Sequence, residues 1–122
     1  MHNFKELAIW QKGMNVVMEC YKITSHFPKE EQFNLTNQLR RAAVSVPSNI
    51  SEGSSRKSDK DFSRFLQISL GSLFELETQL ILSEKLGYLE SQRFNEMENQ
   101  ISELQRMIYG FSTKLSDNHS KS

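Results

Sequence analysis

Cysteine is almost missing from this chain: Cys20 stands alone among 122 residues. No intrachain disulfide can form, and a reduced, cytoplasmic setting is expected. An excess of either charge is missing too. Fifteen basic residues against fifteen acidic ones give zero formal charge, so the whole molecule exerts no pull on nucleic acid, and any such binding must use a local patch. No apolar run approaches the ~20 residues of a membrane span, and the opening MHNFKELAIWQKG lacks the apolar core of a signal segment. Histidine is scarce and scattered, at His2, His26 and His119. There is no Glu-x-x-His pair for a di-iron bundle and no His–Cys cluster for zinc. Arg40 and Arg41 have no histidine nearby to act as a nuclease pair. Cys20 has no neighbouring base to activate it and reads as a packing residue. The chain is therefore expected to be non-enzymatic, without metal, cofactor or small-molecule substrate.

What is present is helical periodicity, without a competing strand pattern or internal repeat. The stretch Leu35–Gly53, LTNQLRRAAVSVPSNISEG, organises the rest. Leu35, Leu39, Ala42, Val46 and Ile50 form a narrow apolar seam. Beside it run Gln38, Arg41, Ser45, Asn49 and Glu52, polar throughout. Small residues such as Ala42, Ala43 and Ser45 keep this helix thin, so that neighbours can come close. Pro47 lacks an N–H and collides with the carbonyl one turn back, which predicts a kink. Gly53 offers a left-handed stop.

Three further helices are expected. In the first, over 4–26, Phe4, Leu7, Gln11, Met14, Met18 and Tyr21 recur at helical spacing, and Phe27-Pro28 ends it. Asn34 or Thr36 is expected to cap the second helix. Ser58 with Asp61 resembles a capping box for the third, which runs to Leu86 with apolar residues over about half its wheel. That face is wider than one partner needs and suggests a second neighbour, in the bundle or in another subunit. Gly87 supplies the stop, with Tyr88 folding back. In the fourth helix, capped by Ser91, Phe94, Met97, Ile101, Leu104, Ile108, Phe111 and Leu115 keep a strict three-four alternation. Short connections make this an all-α, antiparallel up-down four-helix bundle with a proline-kinked second helix. One domain is expected over 1–116, with a disordered tail over 117–122.

Glu77 falls inside the apolar half of the third helix and needs a partner, because an isolated buried charge is too costly. Arg40 or Arg41 is the expected one, the other staying free at the surface. Gly71-Ser72 is either a local kink or a small-residue subunit contact. Asn49, Glu52 and Gly53 read as capping and polar pairing. Positive charge concentrates on the second helix and its loop, at Arg40, Arg41, Arg56, Lys57 and Lys60. The third helix, with Glu75 and Glu77, is negative. The two segments could simply neutralise each other. Alternatively, loops repeated around a ring of identical subunits would present a larger field. No aromatic residue interleaves the SSRKSDK loop, so phosphate contacts rather than base stacking are expected there.

QLRRAAVSVPSNISEG, the following SR and the later FLQISLGSLFELETQL, with FKELAIWQKGM and YKITSHFP at the start, resemble the small four-helix-bundle proteins encoded in intervening sequences of large-subunit ribosomal RNA genes. The resemblance covers roughly Phe4 to Tyr109. More distantly, the chain is similar to the accessory variability determinant protein of diversity-generating retroelements. The resemblance implies a homopentamer without catalytic activity that associates with structured RNA or a ribonucleoprotein. It also places any shared ligand site at the polar corner of Asn49, Glu52 and Gly53. The alternative is a protein–protein interaction scaffold that binds no nucleic acid.

Overall fold

The structure, a computed structural model, describes residues 2–121, with side chains through Asp117. Four α-helices account for nearly all of it: α1 Ala8–Thr24, α2 Leu35–Ser54, α3 Asp59–Lys85 and α4 Ser91–Lys121. Single 3₁₀ turns at Phe4–Glu6 and Lys29–Glu31 precede α1 and α2. Each helix packs on the next in sequence, and α4 closes back on α1. Contacts that rise along α3 fall along its neighbours. Gly53, Val46 and Ser45 of α2 meet Phe62, Ser69 and Ser72 of α3. Ser63 and Glu77 of α3 meet Ser112 and Gln105 of α4. The grooves α1–α2 and α3–α4 consequently lie on opposite sides of a four-helix bundle.

The seam of α2 is buried along its whole length, and so are Met97, Ile101, Leu104, Ile108 and Leu115 of α4. The first helix differs from expectation. It begins only at Ala8, because Leu7 is extended, and Gln11 turns back to donate to the Lys5 carbonyl at 2.9 Å. Its buried line is Ile9, Gly13, Val16, Cys20 and Ile23, while Met14, Met18 and Tyr21 face outward. Both lines have helical spacing, but the inner one carries the smaller residues. A Cβ on Gly13 would lie only 3.5 Å from Pro47 Cβ, so α1 settles closely against α2.

Of two glycines expected to stop helices, one does and one does not. Gly53 makes no left-handed stop, since among the described residues Gly87 alone has positive φ, at 82°. Gly53 lies within α2, where a Cβ would come within 2.7 Å of Phe65 Cβ and 2.9 Å of Phe62 Cδ1. It is there to let α3 in. Gly87 closes α3 as expected: its N–H donates to Glu84 O at 3.0 Å and that of Tyr88 to Ser83 O at 2.9 Å, the paired bonds of a Schellman stop. Ser58 Oγ accepts from the Asp61 N–H at 3.1 Å, capping α3 as read from sequence. At α2 the cap differs, for Glu31 Oε1 rather than Asn34 accepts from the Leu35 N–H, at 3.4 Å. Pro47 sits inside α2 with helix on both sides. The helical backbone of α4 continues past residue 116 to Lys121; residue 122 lies outside the described residues.

Candidate nucleic-acid interface

The five cations expected to form one basic rim divide into two groups. Arg40 and Arg41 sit early on α2, whereas Arg56, Lys57 and Lys60 lie around the α2–α3 connection. Thirteen residues of helix, about 20 Å at 1.5 Å per residue, run from Arg41 to the end of α2 at Ser54, and Arg56 lies beyond it. In the second group Arg56 is engaged: its Nη2 pairs with Glu52 Oε1 at 3.1 Å, and its guanidinium lies 4.7 Å from the Phe65 ring centre. Lys57 and Lys60 are exposed.

The first group has the stronger geometry. Arg40 Nε donates to Thr24 Oγ1 at 2.8 Å, and its guanidinium lies 4.5 Å from the Tyr21 ring centre. Cation–π contacts of this kind fix an otherwise mobile side chain. Arg41 projects from the neighbouring position and is exposed. Among the described residues neither arginine forms an ion pair. Together with Tyr21, Asn37, Val44 and Ser45 they line a groove of about 510 Å³ between α1 and α2 that has no acidic wall.

Glu77 therefore does not meet Arg40 or Arg41. Arg40 reaches α1, at Thr24 and Tyr21, and Arg41 is exposed, while Glu77 faces α4. Its Oε1 accepts from Gln105 Nε2 at 3.3 Å. Glu98 is its other neighbour. A hydrogen bond to Glu77, then burial, then the negative charge of Glu77 raise the Glu98 carboxyl to about 7. Glu98 Oε2 is shielded from solvent, and no N–H reaches it. A protonated Glu98 donating to Glu77 accounts for both observations, because two ionised carboxylates can only accept.

The remaining residues singled out from sequence serve the bundle. Asn49 Nδ2 donates to Ser45 O at 2.8 Å, and Ser72 Oγ donates to Ser45 Oγ at 2.8 Å. Ser72 thus points to α2, not to a neighbouring subunit. Gly71 points the other way, with open space where a Cβ would be. Glu75 is exposed and accepts from Gln79 at 3.5 Å. Gly71, Phe74, Tyr109 and Gly110 border an apolar groove of about 640 Å³ between α3 and α4. Neither do the segments of opposite charge neutralise each other. The ion pairs that join helices among the described residues are Lys12–Glu103 and Arg93–Glu19, between α1 and α4.

Sequence reasoning missed Tyr21 and Asn37. The signal for Tyr21 was its membership of the outer of two apolar lines on α1. No aromatic stands close to Arg40 and Arg41 in sequence; the fold supplies one from another helix. Cys20, beside Tyr21, is fully buried, and burial followed by the charge of Glu19 pushes its thiol up to about 12. Among the described residues no group of three metal-binding side chains assembles, and no helix is long and apolar enough to cross a membrane.

These features define a four-helix bundle that carries a cation-lined groove on one side and an apolar groove on the other. The chain belongs to the 23S rRNA-intervening sequence protein family, whose pattern matches residues 5–110. Its fold is similar to the crystal structure of a protein of unknown function from the S23 ribosomal protein family of Bacteroides thetaiotaomicron. The TM-score is 0.80 at 20% identity, covering 86% of this chain and 98% of that one. A search of curated proteins gives no match. Neither the family description nor that of the neighbour names a catalytic activity.

Proposed function

We propose that this protein is a non-catalytic, cytoplasmic homo-oligomer that binds structured RNA or a ribonucleoprotein through its basic residues. The observation that carries the reading is the α1–α2 groove, where two arginines stand, among the described residues, without an ion pair or an acidic wall. Cations already matched by carboxylates gain little from a phosphate, whereas unmatched ones release counterions when they meet it. A family named for 23S ribosomal RNA intervening sequences fits RNA as the partner. Lys57 and Lys60, beyond the far end of α2, extend the contact along the length of that helix, and Arg56 joins it at the expense of its pair with Glu52.

A monomer with so few free cations would hold RNA weakly at physiological salt, so repetition of the site matters. Assembly into a ring, with five copies by family resemblance, would provide it. One surface available for assembly is the α3–α4 groove, where Phe74 is 57% and Tyr109 67% exposed. That same apolar groove favours the second reading, a scaffold that grips another protein.

Filter binding of folded RNAs across a salt series tests the RNA reading. Each phosphate neutralised should add about 0.7–0.9 to the slope of log affinity against log salt, so a ring should give a slope of several. Arg41→Glu with Lys57→Glu should abolish binding while leaving assembly intact. No binding to several folded RNAs at low salt would refute the reading in favour of the scaffold.

A further inference from the structure

We infer that the α1–α2 groove is a pocket for one unpaired nucleotide of the bound RNA, its phosphate held by Arg41 and its base stacked on the Tyr21–Arg40 pair. The inference rests on the RNA-binding reading and goes beyond it, because backbone contacts alone would need only charge. Three features of the groove exceed that need. The guanidinium of Arg40 is held 4.5 Å from the Tyr21 ring centre and anchored by its Nε to Thr24, which makes a rigid platform of aromatic ring and planar cation. Unpaired bases stack on both kinds of surface. Tyr21 is 42% exposed although it belongs to a helix that packs its other face tightly.

The second feature is the mixed wall. Asn37 carries an amide with two donors and one acceptor, a match for the hydrogen-bonding edge of a base that has lost its partner. Ser45 is less available, since its hydroxyl already serves Ser72 and Asn49. The third feature is size. About 510 Å³ lies within the range of about 300–1,000 Å³ usual for small-ligand pockets, which suits a nucleotide and is more than one phosphate requires. A paired duplex keeps its bases stacked inside and could offer the groove only its backbone. The pocket should therefore distinguish loops, bulges and ends from uninterrupted helix.

The test compares an RNA hairpin carrying an unpaired loop with a blunt RNA duplex of equal length, by fluorescence anisotropy on the full-length protein. The parent should prefer the looped RNA. Tyr21→Leu should cost about tenfold on the looped RNA, within the range for loss of one stacked base, and leave duplex binding unchanged. Arg41→Gln should weaken both, and Lys57→Gln should weaken both without altering the preference. Because Tyr21 and Asn37 are exposed, both variants should melt like the parent, and Asn37→Ala serves as a second probe that leaves the platform intact. Photo-crosslinking from a 4-thiouridine in the loop should label the peptides around Tyr21 and Asn37. Equal affinity for the two RNAs, an unaltered preference in Tyr21→Leu and Asn37→Ala, or crosslinks confined to residues 55–60 would overturn the pocket while leaving RNA binding in place. Absence of binding to either RNA would overturn both.

Discussion

Replacing Glu98 with glutamine should stabilise the bundle at alkaline pH and do little at acid pH. In the folded chain the Glu98 carboxyl holds its proton up to about 7, against 4.5 ordinarily, chiefly through its hydrogen bond with Glu77. The folded state thus binds the proton more tightly than the unfolded state does. Stability is fully present below about pH 4.5, falls as pH rises, and has reached its lower level once pH passes about 7. At about 1.4 kcal/mol per pH unit, the difference between those two values corresponds to at most about 3.5 kcal/mol. Solvent reaches part of Glu98 and screens the penalty, which reduces the expected effect to about 1–2 kcal/mol. A glutamine amide donates to Glu77 at every pH, as the protonated acid does only below about 7. Urea unfolding of parent and Glu98→Gln at matched protein concentration, at about pH 5 and about pH 8, reads the difference directly. The two proteins should nearly coincide at the lower pH and separate at the higher, with the variant the more stable. Parallel curves, or a variant weaker at the higher pH, would show that Glu98 is ionised and solvated, and the account of the pair would fall.

Two glycines on facing helices should respond to alanine with opposite signs. Gly53→Ala gains about 1 kcal/mol of helix propensity but drives a methyl into the Phe62 and Phe65 side chains, a cost of about 1–3 kcal/mol, so its melting temperature should fall by several degrees. Gly71→Ala meets open space and should gain about 1 kcal/mol; shifts of the same sign would contradict the packing described for Gly53. Phe74→Asp should leave the fold intact and dissociate the oligomer in native mass spectrometry. A Phe74→Asp protein that assembles like the parent would move the subunit contact away from the α3–α4 groove.

Residue spacing alone made legible the number of helices, most of their ends and the cores of α2 and α4. Those features depend on residues a few positions apart: the seam from Leu35 to Ile50, the alternation from Phe94 to Leu115, the cap at Ser58 and the stop at Gly87. Local chemistry suffices to dictate them. The sequence left undecided which of two equally spaced lines on α1 would face inward. Packing decided it: the line of smaller residues, with Gly13 close to Pro47, went inside, and Tyr21 stands outside beside Arg40. The same limit explains the misplaced partner of Glu77. Helical spacing puts a carboxylate on a face, but the helix that covers that face is chosen by packing, and here it was α4, with Gln105 and Glu98. Gly53 likewise looks from sequence like a chain reversal; only the approach of Phe62 and Phe65 reveals that it makes room for α3. The candidate groove itself joins residues of α1 to residues of α2. No spacing along the chain encodes that distance, and tertiary packing alone brought the ring to the cations.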